Sequence, residues 1–96
     1  MKIYIAGRIS GYDGYRDKFD AAEQYLKELG YIVCNPVCLP DNLDYEDYFP
    51  ICFAMIDICE AIYMLSNWDG SEGAKRELDY AISKRKTIFF EGGDNR

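Results

Sequence analysis

No histidine occurs anywhere in the chain, and its four cysteines, Cys34, Cys38, Cys52 and Cys59, show no C-x-x-C spacing. A mixed cysteine and histidine zinc site therefore cannot be assembled, and the cysteines read as reduced, mostly buried thiols. Neither a metal nor an organic cofactor is expected. Basic residues are scarce as well: eleven Lys and Arg stand against seventeen Asp and Glu, for a net charge of -6. That balance argues against a protein that grips a nucleic-acid polymer by its phosphates, while a small anionic ligand, which needs only a local nest of donors, stays open. Long apolar runs are missing too. No stretch approaches membrane-spanning length, and the apolar run after Met1 is too short for a signal peptide, so a cytoplasmic protein without a membrane partner is expected. There is no internal repeat, low-complexity segment or linker, and 96 residues, half of them apolar, suit one small domain with a modest core.

What is present alternates. Residues 2 to 6 and 61 to 65 are apolar runs of the kind expected from central parallel strands covered on both faces, with further strands at Tyr31 to Cys34 and Thr87 to Phe90. Between them lie helical patterns. One carries Phe19, Ala22, Leu26 and Leu29, can be capped by Asp13 and stops at Gly30. A second runs from about Tyr45 to Cys59 with Phe49, Cys52, Phe53, Ile56 and Cys59 on one face, Pro50 being tolerated only in its first turn. The residues from Pro40 through Asp47 read as an acidic surface loop able to cover a pocket mouth, and Glu91 to Arg96 as a frayed polar tail. Right-handed crossovers then give an α/β, Rossmann-like (flavodoxin-like) three-layer fold with a parallel sheet of order 2-1-3-4. Its switch point lies between the first and third strands and brings the loops Gly7 to Gly11 and Ser66 to Ser71 to one crevice.

The third helix carries the strongest chemical signal. Ser71 is a suitable N-cap, Glu72 suits the positive end of the helix dipole, and Ala74, Leu78, Ala81 and Ile82 form a core-facing stripe. Glu72 with Arg76 and Lys75 with Asp79 are spaced as surface pairs. Glu77 has no such partner: its neighbours three and four residues away are Gly73, Ala74, Tyr80 and Ala81. It is either a catalytic carboxylate at a pocket rim or a solvated glutamate. The loop Gly7-Arg8-Ile9-Ser10-Gly11 is similarly open to two readings, a simple chain reversal or a nest that points N–H groups and Arg8 at an anion.

Five motifs in this order, Tyr4-Ile5-Ala6-Gly7-Arg8-Ile9-Ser10-Gly11, Asn35-Pro36, Cys59-Glu60-Ala61-Ile62-Tyr63-Met64-Leu65, Trp68-Asp69-Gly70-Ser71-Glu72-Gly73-Ala74 and Glu77-Leu78-Asp79-Tyr80-Ala81, span nearly the whole chain. Together they resemble the nucleoside 2-deoxyribosyltransferase superfamily, most closely its short, largely phage and bacterial branch of unknown function (DUF4406), with residues 1 to 96 as one such domain. The resemblance implies that Glu77 is a nucleophile toward the anomeric carbon of a 2-deoxyribosyl group and that Tyr4 orients it. It implies a substrate site of Gly7, Arg8, Ser10, Gly11, Trp68, Asp69, Ser71 and Gly73, with Arg8, Ser10 and Ser71 favouring a nucleotide over a nucleoside. Trp68 either stacks on the base or walls the pocket. The implied partners are a small nucleoside or nucleotide and further copies of the chain, as a homodimer or higher homo-oligomer.

Two positions depart from the family pattern. Arg8 stands where the branch usually has proline. Cys52 stands eight residues before Glu60, where the resemblance calls for an aspartate that helps protonate the departing base, and a thiol is a poor general acid. Two readings follow: an enzyme that cleaves or exchanges an N-glycosidic bond, or a catalytically impaired nucleotide-binding protein acting as a sensor or sequestering agent. A ligand-free scaffold is the third.

Overall fold

The computed structural model describes residues 1–93. Four strands, β1 (Lys2–Ala6), β2 (Ile32–Cys34), β3 (Ala61–Met64) and β4 (Thr87–Phe90), form one parallel sheet of order β2-β1-β3-β4, as the alternation of patterns predicts. Three helices connect them: α1 (Tyr15–Glu28), α2 (Tyr48–Asp57) and α3 (Glu72–Ser83). The sheet separates two apolar layers. Ile3, Ile5, Ala61, Tyr63 and Leu65 face Phe19, Ala22 and Leu26 of α1, while Tyr4, Ala6, Ile62 and Met64 face Cys52, Ile56, Ala74 and Ala81 of α2 and α3. With side chains alternating between faces along each strand, β1 and β3 must be apolar at every position but the first, and from Ile3 to Ala6 and Ala61 to Leu65 they are buried throughout.

Local chemistry sets the helix ends. Ser71 caps α3 by accepting a hydrogen bond from the Ala74 N–H at 3.1 Å, whereas Asp13 caps nothing: α1 follows Gly14 with no side-chain cap. The helix expected from Tyr45 begins instead at Tyr48, after a 3-10 turn at Tyr45–Asp47, and Pro50 falls within its first turn. Leu29 and Ile82 are exposed although each continues a helical apolar spacing. The surface pairs expected within α3 do not form. Arg76 instead engages Glu46 through two hydrogen bonds of 3.0 and 3.3 Å, with its guanidinium 3.6 Å above the Phe49 ring, and Lys75 sits 3.6 Å from Glu72. The cysteines are unpaired. Cys52 and Cys59 are buried as expected, but Cys38 is exposed in the turn after β2.

Glu91 is not part of a frayed tail. Its carboxylate accepts from the Ser66 N–H at 2.7 Å and from Lys18 Nζ at 2.9 Å, and Lys18 also reaches Ser66 Oγ at 3.0 Å. This cluster ties α1, the end of β3 and the end of β4 together on the side where the loops converge. The last three residues of the expected tail lie outside the described residues. Among the described residues, no helix is long and apolar enough to cross a membrane.

At the carboxyl end of β1 the chain passes very close to β3. A Cβ built on Gly7 would lie 2.7 Å from Leu65 Cδ1 and 2.9 Å from its Cβ, so only glycine lets the loop leave the sheet along this path. Gly7→Ala is expected to destabilise the fold by about 1–3 kcal/mol through overpacking. In a Leu65→Ala background the same substitution should cost less, because the Cδ1 and Cγ collisions are gone and only the one with Cβ remains; urea denaturation of the four proteins measures the difference.

Candidate active site

Tyr4, in the middle of β1, and Glu77, in the second turn of α3, meet beneath the crevice at the carboxyl ends of the strands. The Tyr4 hydroxyl donates to Glu77 Oε2 at 2.8 Å. Tyr4 is fully buried and Glu77 is 9 % exposed, on the same buried stripe of α3 as Ala74 and Ala81. Glu77 is therefore neither solvated nor at a rim: it occupies a core position on a helix face otherwise made of alanines. Its partner comes from the sheet, 73 residues away, which is why spacing along the helix shows none.

Burial disfavours the charged carboxylate and pushes Glu77 up to about 7, against the opposing pull of the Tyr4 hydroxyl and then of the Cys52 thiol. The same burial, reinforced by the Glu77 charge, raises Tyr4 well above the ordinary phenol and pushes Cys52 up to about 12. At neutral pH the site thus holds one carboxyl group poised to ionise between two groups that keep their protons.

These three residues floor a pocket of about 570 Å³. One wall is formed by Gly7 and Ser10 from the loop after β1 and by Ser71 and Gly73 at the start of α3. The rest of the lining is largely apolar and roofs the pocket, with Leu39, Leu43 and Tyr45 from the segment between β2 and α2 and Tyr48 and Phe49 from the start of α2. Of the acidic loop expected to cover a pocket mouth, Pro40, Asp41, Leu43 and Tyr45 join the lining. The Tyr48 hydroxyl braces it, donating to the Pro40 carbonyl and accepting from the Leu43 N–H.

Of the site residues expected from sequence, Tyr4, Gly7, Ser10, Ser71, Gly73 and Glu77 line this pocket, and Arg8, Gly11, Trp68 and Asp69 do not. Arg8 is held away by its surroundings: its N–H donates to Asn67 Oδ1 at 3.1 Å, its Nε donates to the Ser10 carbonyl at 3.3 Å, and its guanidinium lies against Gly11 and Gly70. Trp68 packs on Phe90, ring centroids 5.9 Å apart, as part of the layer under α3. Asp69 is exposed in the 3-10 turn Trp68–Gly70. Sequence reasoning passed over Arg16 and the aromatic roof. Arg16 lines the pocket from the first turn of α1, and the only available hint was its place at the start of the helix after the glycine loop. Among the described residues, no three His, Cys, Asp or Glu side chains come together as metal ligands.

The sequence matches the family model described as Domain of unknown function (DUF4406) over residues 1–90. No curated protein matches it. Among solved structures it is similar to a 2-deoxyribosyltransferase from the psychrotolerant bacterium Bacillus psychrosaccharolyticus, with a TM-score of 0.73 and 21 % identity, covering 100 % of this chain and 77 % of that one. It is equally similar in fold to a 2-deoxyribosyltransferase from Leishmania mexicana, with a TM-score of 0.73 and 22 % identity, over 99 % of this chain and 66 % of that one. At these identities the likeness is one of fold.

Raising Glu77 above its ordinary value of 4.5 has a definite consequence for stability. The folded chain holds a proton that the unfolded chain releases, so the contribution is complete below about pH 4.5 and is lost as pH rises through about 7. Relative to Glu77→Gln, the wild type should lose up to about 3 kcal/mol of stability between pH 4.5 and 8, measured by urea denaturation. A difference between the two proteins that does not change with pH would remove the buried carboxyl from this role.

Proposed function

The chain belongs to the DUF4406 family, and from that premise we propose that it is a nucleoside 2-deoxyribosyltransferase-like enzyme acting on the N-glycosidic bond of a deoxynucleoside 5′-monophosphate. The observation that carries this reading is the buried Tyr4–Glu77 pair flooring a pocket of nucleotide size. The whole chain acts as one such domain. The fold relatives bring the reaction class, since they are named as 2-deoxyribosyltransferases.

In this reading a Glu77 carboxylate oxygen attacks the anomeric carbon as the bond to the base nitrogen breaks. The base leaves with the bonding electrons and takes a proton from water in the open pocket, and the sugar stays as an ester on Glu77. Water or a second base then attacks the same carbon and frees Glu77, giving hydrolysis or transfer. Tyr4 holds the attacking carboxylate through its 2.8 Å hydrogen bond, fixing which oxygen faces the substrate. Ionisation near pH 7 makes the nucleophile available without leaving it so stable that it cannot attack. Ser10 and Ser71 offer hydroxyls along the polar wall, and the apolar roof receives the base.

The second reading, a nucleotide-binding protein with impaired chemistry, is favoured by one observation. Cys52 lies in the floor beside Glu77 and Tyr4, and its thiol, pushed up to about 12, is a weak acid for protonating a departing base. Cys52→Asp would place a second carboxyl group against Glu77, where like-charge repulsion keeps one of the two protonated and able to donate. Base release from a panel of deoxynucleoside monophosphates, followed by chromatography, separates the readings. Glu77→Gln should abolish release, and Cys52→Asp should raise it by on the order of 10²-fold. Release that survives Glu77→Gln would dismiss the nucleophile, and tight binding without release by either wild type or Cys52→Asp would establish the binder.

The reading also includes self-association. Tyr25, Leu29 and Ile32 are each more than half exposed around the end of α1 and the start of β2, leaving apolar surface that a second copy would cover. Light scattering is expected to give a homodimer or larger symmetric species, and a particle of 11.1 kDa would count against it.

A further inference from the structure

We propose that Arg16 makes the pocket select ligands bearing a phosphate, and that Asp41 occupies its guanidinium until that phosphate displaces it. The proposal rests on the nucleotide reading above and names the residue that would decide between nucleotide and nucleoside.

The charges around the pocket carry the argument. Its lining includes the carboxylates Asp41, Glu72 and Glu77 and, among the described residues, one cationic side chain, Arg16. Without Arg16 the pocket presents a net negative surface that repels a dianionic group. Arg8, the arginine nearest the glycine loop in sequence, is not part of the lining: its Nε donates to the Ser10 carbonyl and its guanidinium lies beside Gly11 and Gly70 at the edge of the pocket. Glu72 is partly offset by Lys75, 3.6 Å away, which leaves Asp41 as the acid facing Arg16.

The two ends of the guanidinium are held differently. Nη1 donates to the Val37 carbonyl at 3.1 Å, a backbone anchor that fixes the side chain against the wall. Nη2 faces Asp41 Oδ2 at 3.8 Å, beyond hydrogen-bond length, and the Asp41 side chain is 75 % exposed. A loose, water-screened pair of this kind contributes little. A phosphate carries more charge and three acceptor oxygens, and it suits the planar fork of an arginine better than a distant single carboxylate does. Arg16 is thus anchored on one side and exchangeable on the other. Asp41 lies in the roof segment, so exchange at Arg16 would also release that segment from α1 on the Asp41 side.

The test is calorimetric titration with deoxyadenosine and with deoxyadenosine 5′-monophosphate in a Glu77→Gln background, which prevents turnover. The parent should prefer the monophosphate. Arg16→Ala should weaken monophosphate binding at least about tenfold while changing nucleoside binding less than about twofold, with Arg16→Lys intermediate. Asp41→Asn should tighten the monophosphate alone by about two- to fivefold, which a purely structural ion pair would not do. Equal weakening of both ligands by Arg16→Ala, or weaker monophosphate binding in Asp41→Asn, would overturn the proposal. A parent that binds both ligands alike would overturn it and leave the reaction class standing, whereas a parent that binds neither would overturn the nucleotide reading and this proposal together.

Discussion

A carboxylate removed from water needs a compensating donor or a proton, and the rest of this structure is arranged around meeting that demand at Glu77. Tyr4 supplies the donor from the centre of the sheet, and the partial protonation of Glu77 supplies the rest. Neither works unless β1 and α3 are pressed together. The small side chains of Ala74 and Ala81 on either side of Glu77 allow that approach, and the Ser71 cap sets where the helix starts and therefore which face holds Glu77. One energetic conflict, a charge-bearing group in a core position, thus fixes strand identity, helix phase and helix start together.

The loops respond to the same constraint from above. The glycine loop leaves β1 at Gly7 because Leu65 leaves no room for a side chain, and Glu91 holds the end of β3 through Ser66 and Lys18. The roof between β2 and α2 is tied at both ends by arginines, Arg16 from α1 at Asp41 and Arg76 from α3 at Glu46. The two ties differ in kind. Arg76 makes two hydrogen bonds to Glu46 and stacks on Phe49, while the Arg16 end rests on a single longer contact.

Much of this was legible in the sequence, and the reasons are particular. The apolar runs of β1 and β3 identify the central strands because only strands covered on both faces tolerate such composition, and the order of the sheet then follows from crossover handedness. Glu77 stood out by lacking a helical partner, although the reason proved to be burial and not a rim position. What spacing could not convey was which long side chains turn away from their own element. Arg76 passes over a helical neighbour for Glu46, and Arg8 folds back onto the Ser10 carbonyl while Arg16 joins the pocket lining. Leu29 and Ile82 show the complementary failure: each continues a helical apolar spacing, yet the fold leaves both exposed.

The sequence separation of the Tyr4–Glu77 pair also bears on how the site comes into being. The bond spans 73 residues, and so does the contact of Lys18 with Glu91 that braces the neighbouring loops. No local hairpin or isolated strand-helix-strand unit contains both members of either pair. During synthesis the first strand waits, with its tyrosine unpartnered, until almost the whole chain has emerged, and the cost of closing so long a loop is met only when the remaining strands dock. A chain that ends before α3 lacks Glu77 and with it the pair that floors the pocket.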